Sequence, residues 1–581
     1  MKRLILAILA LLCSPALVMA AEEAAKELYK FAPTKSISTF GLIYTVAMVA
    51  TFLYVGYISQ KKTKTSDDYY TAGRGIGALS NGLAMTSNFL SLATFLGFTA
   101  LIWKLQYLLV AFVMAWLGGF VMVSISVAPS LRRWGKFTSM QFIGERYGNV
   151  AKIISVLCMI LLAQLYLIGQ MKGVGNIFQV MFHWDYTVGL IVGGLVVTTY
   201  VTIGGMYGLS YNQTLQSIIL QFALIFPTII ILLKLGAGGG SVFPPFGYAK
   251  LVPTMLAELP TYFDPFTTVM GKLPLSFKYY TAIFLSLGFG TIGLPHVAMR
   301  YFTAPSVREG KRATLWAIFF IGLVFLTTFA IGFAAKLYTV QEIMGVQGLN
   351  INPKDADILV IVMSQAFTPS WIGALPIAGA MAAGLSTIAG LLMVIGTGIG
   401  HDIYTTIHPE ATDASKMKMG LIFTAIGGLA TIILALNPPQ FLLTSVIWAF
   451  VVAASTFTPV LILGIWWKGA NRIGANLGMI VGAILSITLW WTKGKLFGMQ
   501  FINMGPLGYL MGGIFSASAA WFVTVFASLL TGGEKNEEIL RSVDKIHGWN
   551  DYSTARYSSN TFAICCGLIA LGLMIWSAMP V

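Results

Sequence analysis

Ala383, Ser386 and Thr387 stand at i, i+3 and i+4 in an apolar run, so they share one face of a helix. Two hydroxyl oxygens and a backbone carbonyl on one face suit a small hard cation, which prefers oxygen ligands. The other reading is hydroxyls bonding back to carbonyls one turn earlier. A second cluster, Thr86, Ser87, Asn88, Ser91 and Thr94, lies within another apolar run. Polar groups at that depth need partners. A helix unwound around Asn88 would offer carbonyls to an ion; the alternative is hydrogen bonding between packed helices. A third stretch, Ser286 to Pro295, holds Gly288, Gly290, Gly293 and a proline, which loosen a helix and free backbone groups. In transporters, Gly/Pro-interrupted spans at matching places in two halves point to a binding site.

These clusters require a membrane to position them. Of 581 residues, 57% are hydrophobic and 10% are charged, against about 25% charged in soluble domains. Apolar runs of about 20 residues fall near 40–59, 80–102, 106–129, 151–176, 186–205, 213–236, 278–299, 313–335, 373–400, 419–437, 441–466, 473–492, 507–531 and 559–579. They predict an all-α polytopic protein of about fourteen transmembrane helices. The second and seventh spans carry the interruptions and fit inverted five-helix repeats, with core repeats at about 80–236 and 278–466.

The net charge of +15 sits in loops. With the mature N-terminus outside, every arginine past Arg3 falls inside, which is the positive-inside pattern. Both mature termini are then external, and no nucleic-acid partner is needed. Arg300, Arg308, Lys311 and Arg312 serve as positive-inside charge or pair with Glu145 or Asp402 at an inner gate. Residues 1–20 read as a signal peptide: Lys2 and Arg3, an apolar Leu4–Leu12, and Val18-Met19-Ala20 as a cleavage site. Residues 21–38 read as an external segment and 39–581 as the transmembrane domain. A bacterial inner membrane is the expected location. Leu235–Ser276 reads as an external loop and Gly532–Asn560 as a cytoplasmic, partly helical segment.

Cys13, Cys158, Cys565 and Cys566 form no metal or disulfide framework. His183, His296, His401, His408 and His547 are scattered, and no nucleophile–base pair appears, so an enzyme is not expected. No carboxylate sits at the centre of a span, which favours Na+ over H+ as coupling ion.

Five strings, in order, resemble the sodium:solute symporter family. They are Asp67–Arg74; Phe137-Thr138 to Glu145–Gly148; Tyr200–Met206; Gly293–His296 with Arg300–Thr303; and His401–Tyr404. The resemblance implies a leucine-transporter-like fold with flanking helices. It also implies a Na+ site formed by the carbonyls of Ser87, Leu90 and Ala383 and the hydroxyls of Ser386 and Thr387. The Gly-Leu-Pro-His and Arg-Tyr-Phe-Thr strings look closest to acetate and short-monocarboxylate permeases. Those tend to carry Asp at the place of Asn88 and lack the hydroxyl pair, so the chain reads as a sister subfamily. Gly208 is a smaller departure.

The expected function is Na+-coupled symport of a small organic anion, acetate or another short monocarboxylate, into the cell. The alternatives are proton-coupled or uncoupled carboxylate transport, or symport of another small solute such as an amino acid. Candidate solute contacts are Asn88, Ser91, Thr94, Gln164, Gln170, Ser286 and Gly288. Expected partners are the solute and membrane lipid, with a small accessory membrane protein or a second copy as further options. Lys172 is read as snorkelling to the outer interface.

Overall fold

The computed structural model describes residues 35–182, 184–235, 251–264, 277–341, 356–437, 442–496, 499–500, 508–547 and 559–579. The signal peptide, nearly all of the 21–38 segment, most of the Leu235–Ser276 loop and His183 lie outside the described residues.

The chain opens with α1 (Lys35–Gln60), α2 (Ser66–Thr71) and α3 (Ala78–Phe89). After a π-helical turn at Ala93–Phe98 come α4 (Thr99–Leu105), α5 (Leu109–Ser126), α6 (Ala128–Trp134) and α7 (Ser139–Tyr147). Then follow α8 (Asn149–Phe182), α9 (Tyr186–Lys234), α10 (Val252–Glu258), α11 (Phe277–Gly293), α12 (Pro295–Phe302) and α13 (Val307–Gln341). The second half holds α14 (Leu359–Phe367), α15 (Ser370–Gly373), α16 (Leu375–Thr397), α17 (Tyr404–Ile407), α18 (Asp413–Leu434), α19 (Leu442–Trp466) and α20 (Arg472–Trp491). The last elements are a two-residue antiparallel pair, β1 (Lys495–Leu496) with β2 (Met499–Gln500), then α21 (Gly508–Leu530), α22 (Glu537–His547) and α23 (Asn560–Ala578).

Among the described residues, 11 helices are long and apolar enough to cross a bilayer, or up to 12 when α11 and α12 count as one bent span. The expected fourteen is not reached, for physical reasons. The second predicted span divides into α3, of 12 residues, and a separate segment from Ala93 onward. The fifth and sixth lie in α9 as two helical parts separated by a kink at Gly205, whose φ 54° and ψ −166° are not helical. That left-handed φ costs glycine little. The first apolar part of α9, Tyr186–Thr202, is short for a crossing.

Local chemistry sets the helix starts outside the apolar runs. The Thr65 hydroxyl accepts from Asp68 N–H, and Asp68 accepts from Thr65 N–H, a reciprocal cap for α2. Thr138 caps α7 and Asn471 caps α20 by accepting a single backbone N–H each, without the reciprocal bond.

Helix α16 lies at the centre, buried from Pro376 to Thr397, against α3, α8, α9 and α18. An aromatic wall of Phe89, Trp116, Phe120, Phe325 and Phe450 backs α3, with Trp116 stacked on Phe325 at 5.4 Å. Helices α20, α21 and α23 flank the core, and apolar side chains such as Ile125, Ile433 and Ile569 face outward, as a lipid solvent allows.

Candidate functional site

Helix α3 stops without a helix breaker. Leu90 leaves helical geometry at φ −76°, ψ 94°, inside Phe89-Leu90-Ser91-Leu92. The hydrogen bonds explain the stop. Leu92 N–H, which a continuous helix would give to Asn88 O, goes instead to Gln170 Oε1 at 2.9 Å. Thr94 N–H, which would reach Leu90 O, turns to Ser91 O at 2.9 Å. The carbonyls of Asn88 and Leu90 thereby lose their intrahelical donors. Buried backbone acceptors seek other partners.

Two hydroxyls of α16 reach this turn, one at Asn88 O and one at the neighbouring Ser87 O. Ser386 Oγ donates to Ser87 O at 2.5 Å and lies 2.8 Å from Ala383 O. Thr387 Oγ1 donates to Asn88 O at 3.1 Å and lies 3.2 Å from Ala383 O. The two hydroxyls and the Ser87, Asn88 and Ala383 carbonyls form one buried cluster of neutral oxygens, and Leu90 continues the same broken turn. Such a cluster can coordinate a hard monovalent cation without a carboxylate.

Glycines allow this approach. A Cβ added at Gly390 would meet Asn88 Oδ1 at 2.0 Å, and one at Gly384 would meet Leu92 Cδ1 at 2.4 Å. Residues 383, 386, 387 and 390 share the face of α16 turned to α3.

Gln213 of α9 ties the cluster together. Its Nε2 donates to Ser386 O at 2.7 Å and to Asn88 Oδ1 at 3.2 Å, and its backbone carbonyl accepts from Ser87 Oγ at 2.7 Å. Its Oε1 accepts from Arg300 Nη2. A guanidinium only donates, so Arg300 fixes which end of the Gln213 amide faces the cluster. Arg300 is fully buried on α12 and also donates to Ser210 Oγ at 2.8 Å. It pairs with neither Glu145, which holds Lys136, nor Asp402, which holds His401 and Thr138. Arg312 likewise pairs with Glu309. The gate pairings considered from sequence are therefore not formed.

The second interruption joins α11 to α12. Leu294 is extended at φ −73°, ψ 112°, Pro295 restarts the helix, and the axis bends by 43°. The two interruptions meet where Asn88 Nδ2 donates to His296 O at 2.8 Å. Both His296 ring nitrogens are buried without a hydrogen-bond partner among the described residues, and the ring meets Tyr166 edge-on at 5.5 Å.

Of the predicted solute contacts, Asn88, Ser91, Thr94 and Gln170 border the α3 break. Gln170 Nε2 has no hydrogen-bond partner among the described residues. The structure does not bring the others there. Gln164 bonds to Thr431 and Gly427 of α18. Ser286 donates to Leu510 O at 2.9 Å on the flank, and Gly288 packs against Met122 and Ala115 of α5. The sequence did not single out Gln213, and Arg300 read as loop charge or as a gate residue. Asn212, Gln213, Gln216 and Gln221, four amides in one apolar run, were the available signal.

A model of the sodium:solute symporter family matches residues 69–482. The chain belongs to that family: it is a multi-pass membrane transporter, and its coupling ion is Na+. Among solved structures, a Na+-coupled sialic acid symporter in its substrate-bound outward-open state is similar, with TM-score 0.70 and 20% identity over 85% of this chain and 99% of that one. Mhp1, a nucleobase-cation-symport-1 family transporter, matches with TM-score 0.48 and 13% identity over 82% of this chain and 98% of that one. A manganese transporter of Eremococcus coleocola matches with TM-score 0.46 and 15% identity over 86% of this chain and 94% of that one.

Proposed function

We propose that the protein carries a small organic anion, acetate or another short monocarboxylate, into the cell together with Na+. In this reading Na+ binds between α3 and α16, held by the carbonyls of Ser87, Leu90 and Ala383 and the hydroxyls of Ser386 and Thr387. One observation carries the assignment: Thr387 Oγ1 reaches the Asn88 carbonyl, whose helical donor the break diverts to Gln170, and Ser386 Oγ reaches the neighbouring Ser87 carbonyl. The solute lies beside the ion, between the two interruptions, near Asn88, Ser91, Thr94 and Gln170. A fully buried Arg300, with no carboxylate partner among the described residues, supports a negatively charged solute. The arginine-rich loops face the cytoplasm, and both mature termini are external.

The gradient does the work. One charge crossing is worth about 2.3 kcal/mol per 100 mV. Coupling requires ion and solute together to favour a different state from the one favoured when neither is bound, since equal binding to both states shifts nothing. An ion bridging α3 to α16 stabilises the broken turn, and the solute then meets an ordered pocket.

The test is uptake of labelled acetate by reconstituted protein, with Na+ against choline and an imposed proton gradient. Uptake that requires Na+ and is competed by propionate, pyruvate or lactate supports the reading. Uptake driven by protons in choline sinks it, and competition only by amino acids reassigns the solute.

A further inference from the structure

We propose that one face of α13, with the start of α3, is a binding site for an anionic phospholipid. The inference is independent of the transported solute. Positions 308, 312, 315, 316 and 319 fall on one side of α13. That side begins with arginines and continues with Leu315, Trp316 and Phe319, which are 65%, 42% and 58% exposed. Leu79, 50% exposed, forms part of the opposing wall. Between them lies a groove of about 770 Å³, and the Gly77 end is open, with nothing within 4 Å of an added Cβ.

The charge at the groove's mouth is not balanced by the protein. Glu309 is the acid lining it, and both its oxygens are engaged: one accepts from Arg312 Nη1 at 3.0 Å, the other from Ala78 N–H at 3.2 Å. Arg308 and Lys311 are exposed and make no hydrogen bond or ion pair among the described residues. Arg308 and Lys311 do not line the groove itself, but they stand within about one helical turn of Arg312, so two cations unpaired among the described residues and the outer N–H groups of Arg312 lie at this end of α13. From Arg312 to Phe319 the helix rises about 10 Å, the span from a headgroup into the upper acyl chain. Charge at one end and aromatic and aliphatic surface along the rest match a phosphate ester carrying a hydrocarbon tail. A bound lipid would press on Ala78 and Leu79, the first turn of the interrupted span.

Brominated lipids quench nearby tryptophan. The emission difference between the full chain and Trp316→Phe, each in nanodiscs, isolates Trp316. Brominated phosphatidylglycerol should quench that difference at lower mole fraction than brominated phosphatidylcholine, by about fivefold per engaged basic residue. The preference should collapse in Arg308→Gln/Lys311→Gln/Arg312→Gln and weaken with salt. Native mass spectrometry, which does not depend on Trp316, should show phosphatidylglycerol retained after detergent washing by the unsubstituted chain and lost from the triple variant. Equal quenching by the two lipids, no quenching by either, or a preference that survives in the triple variant overturns the proposal.

Discussion

Between Gly293 and Pro295 the chain interrupts a membrane helix with residues that cannot continue it, whereas between Phe89 and Ala93 it does so with residues that could. Pro295 has no N–H for Thr291 O, and Gly288, Gly290 and Gly293 loosen the helix before it. Phe89-Leu90-Ser91-Leu92 contains neither glycine nor proline. There the break is held from outside: Gln170 takes the Leu92 amide, and Ser386 and Thr387 take carbonyls. A locally encoded break is fixed whatever its surroundings. One held by neighbours can respond to what binds among them, as a coupling site requires.

That contrast can be broken at the ion cluster first. Ser386→Ala with Thr387→Ala removes two oxygens worth about 1.5 kcal/mol each. The Na+ concentration for half-maximal uptake should rise roughly 100-fold, while surface expression holds. Unchanged Na+ activation would remove α16 from the site. Gln213→Leu should raise the same Na+ concentration about tenfold by releasing Ser386 O and Asn88. Arg300→Lys, which keeps one donor for Gln213, should do so less.

Gln170→Leu leaves the Leu92 amide unpaired in the core, at a cost of about 1–3 kcal/mol, readable as a lower unfolding midpoint in detergent. Pro295→Ala should change stability by less than about 1 kcal/mol while narrowing the 43° bend, measured by distances between spin labels on α11 and α12. If Pro295→Ala proved the costlier of the two, the contrast would be reversed.

The smallest expected effect lies far from both breaks. His547 ends α22, docked on α6, with its ring against Ile465 O at 2.8 Å. Burial holds its imidazole below the usual range; the Ile465 carbonyl works against this, and Arg133 works with it. The docked helix favours the neutral ring. Docking is thus at full strength above the unfolded value of about 6.5 and weakens as pH falls below it. Hydrogen exchange of 537–547 should be faster at about pH 5.5 than at about pH 7.5. Exchange that slows on acidification would reverse the sign.

How much was legible follows the same division. Apolar runs mark segments that can lie in a bilayer, whether they face lipid or other helices, so the helix positions were readable, and Pro295 announced the α11–α12 bend. The hydroxyl cluster of α3 showed that something happens near Asn88. The rupture itself falls at Leu90–Leu92, because Gln170 causes it from another helix. Arg300 reads as one more arginine at a helix end. Only packing reveals that α9 covers it and that Gln213 is its partner. The expected spans 186–205 and 213–236 meet at the Gly205 kink of α9, whereas hydropathy could not show that the second span parts at Leu90.

The glycine at 390 bears on the selectivity that the proposed cage would have. It sets how near α16 comes to α3, and so the aperture of the proposed oxygen cage, independently of the groups that would touch the ion. A methyl there would have to displace Asn88 and splay the ring of oxygens. The discrimination between Na+ and the bulkier K+ would then depend on a side chain that is not there.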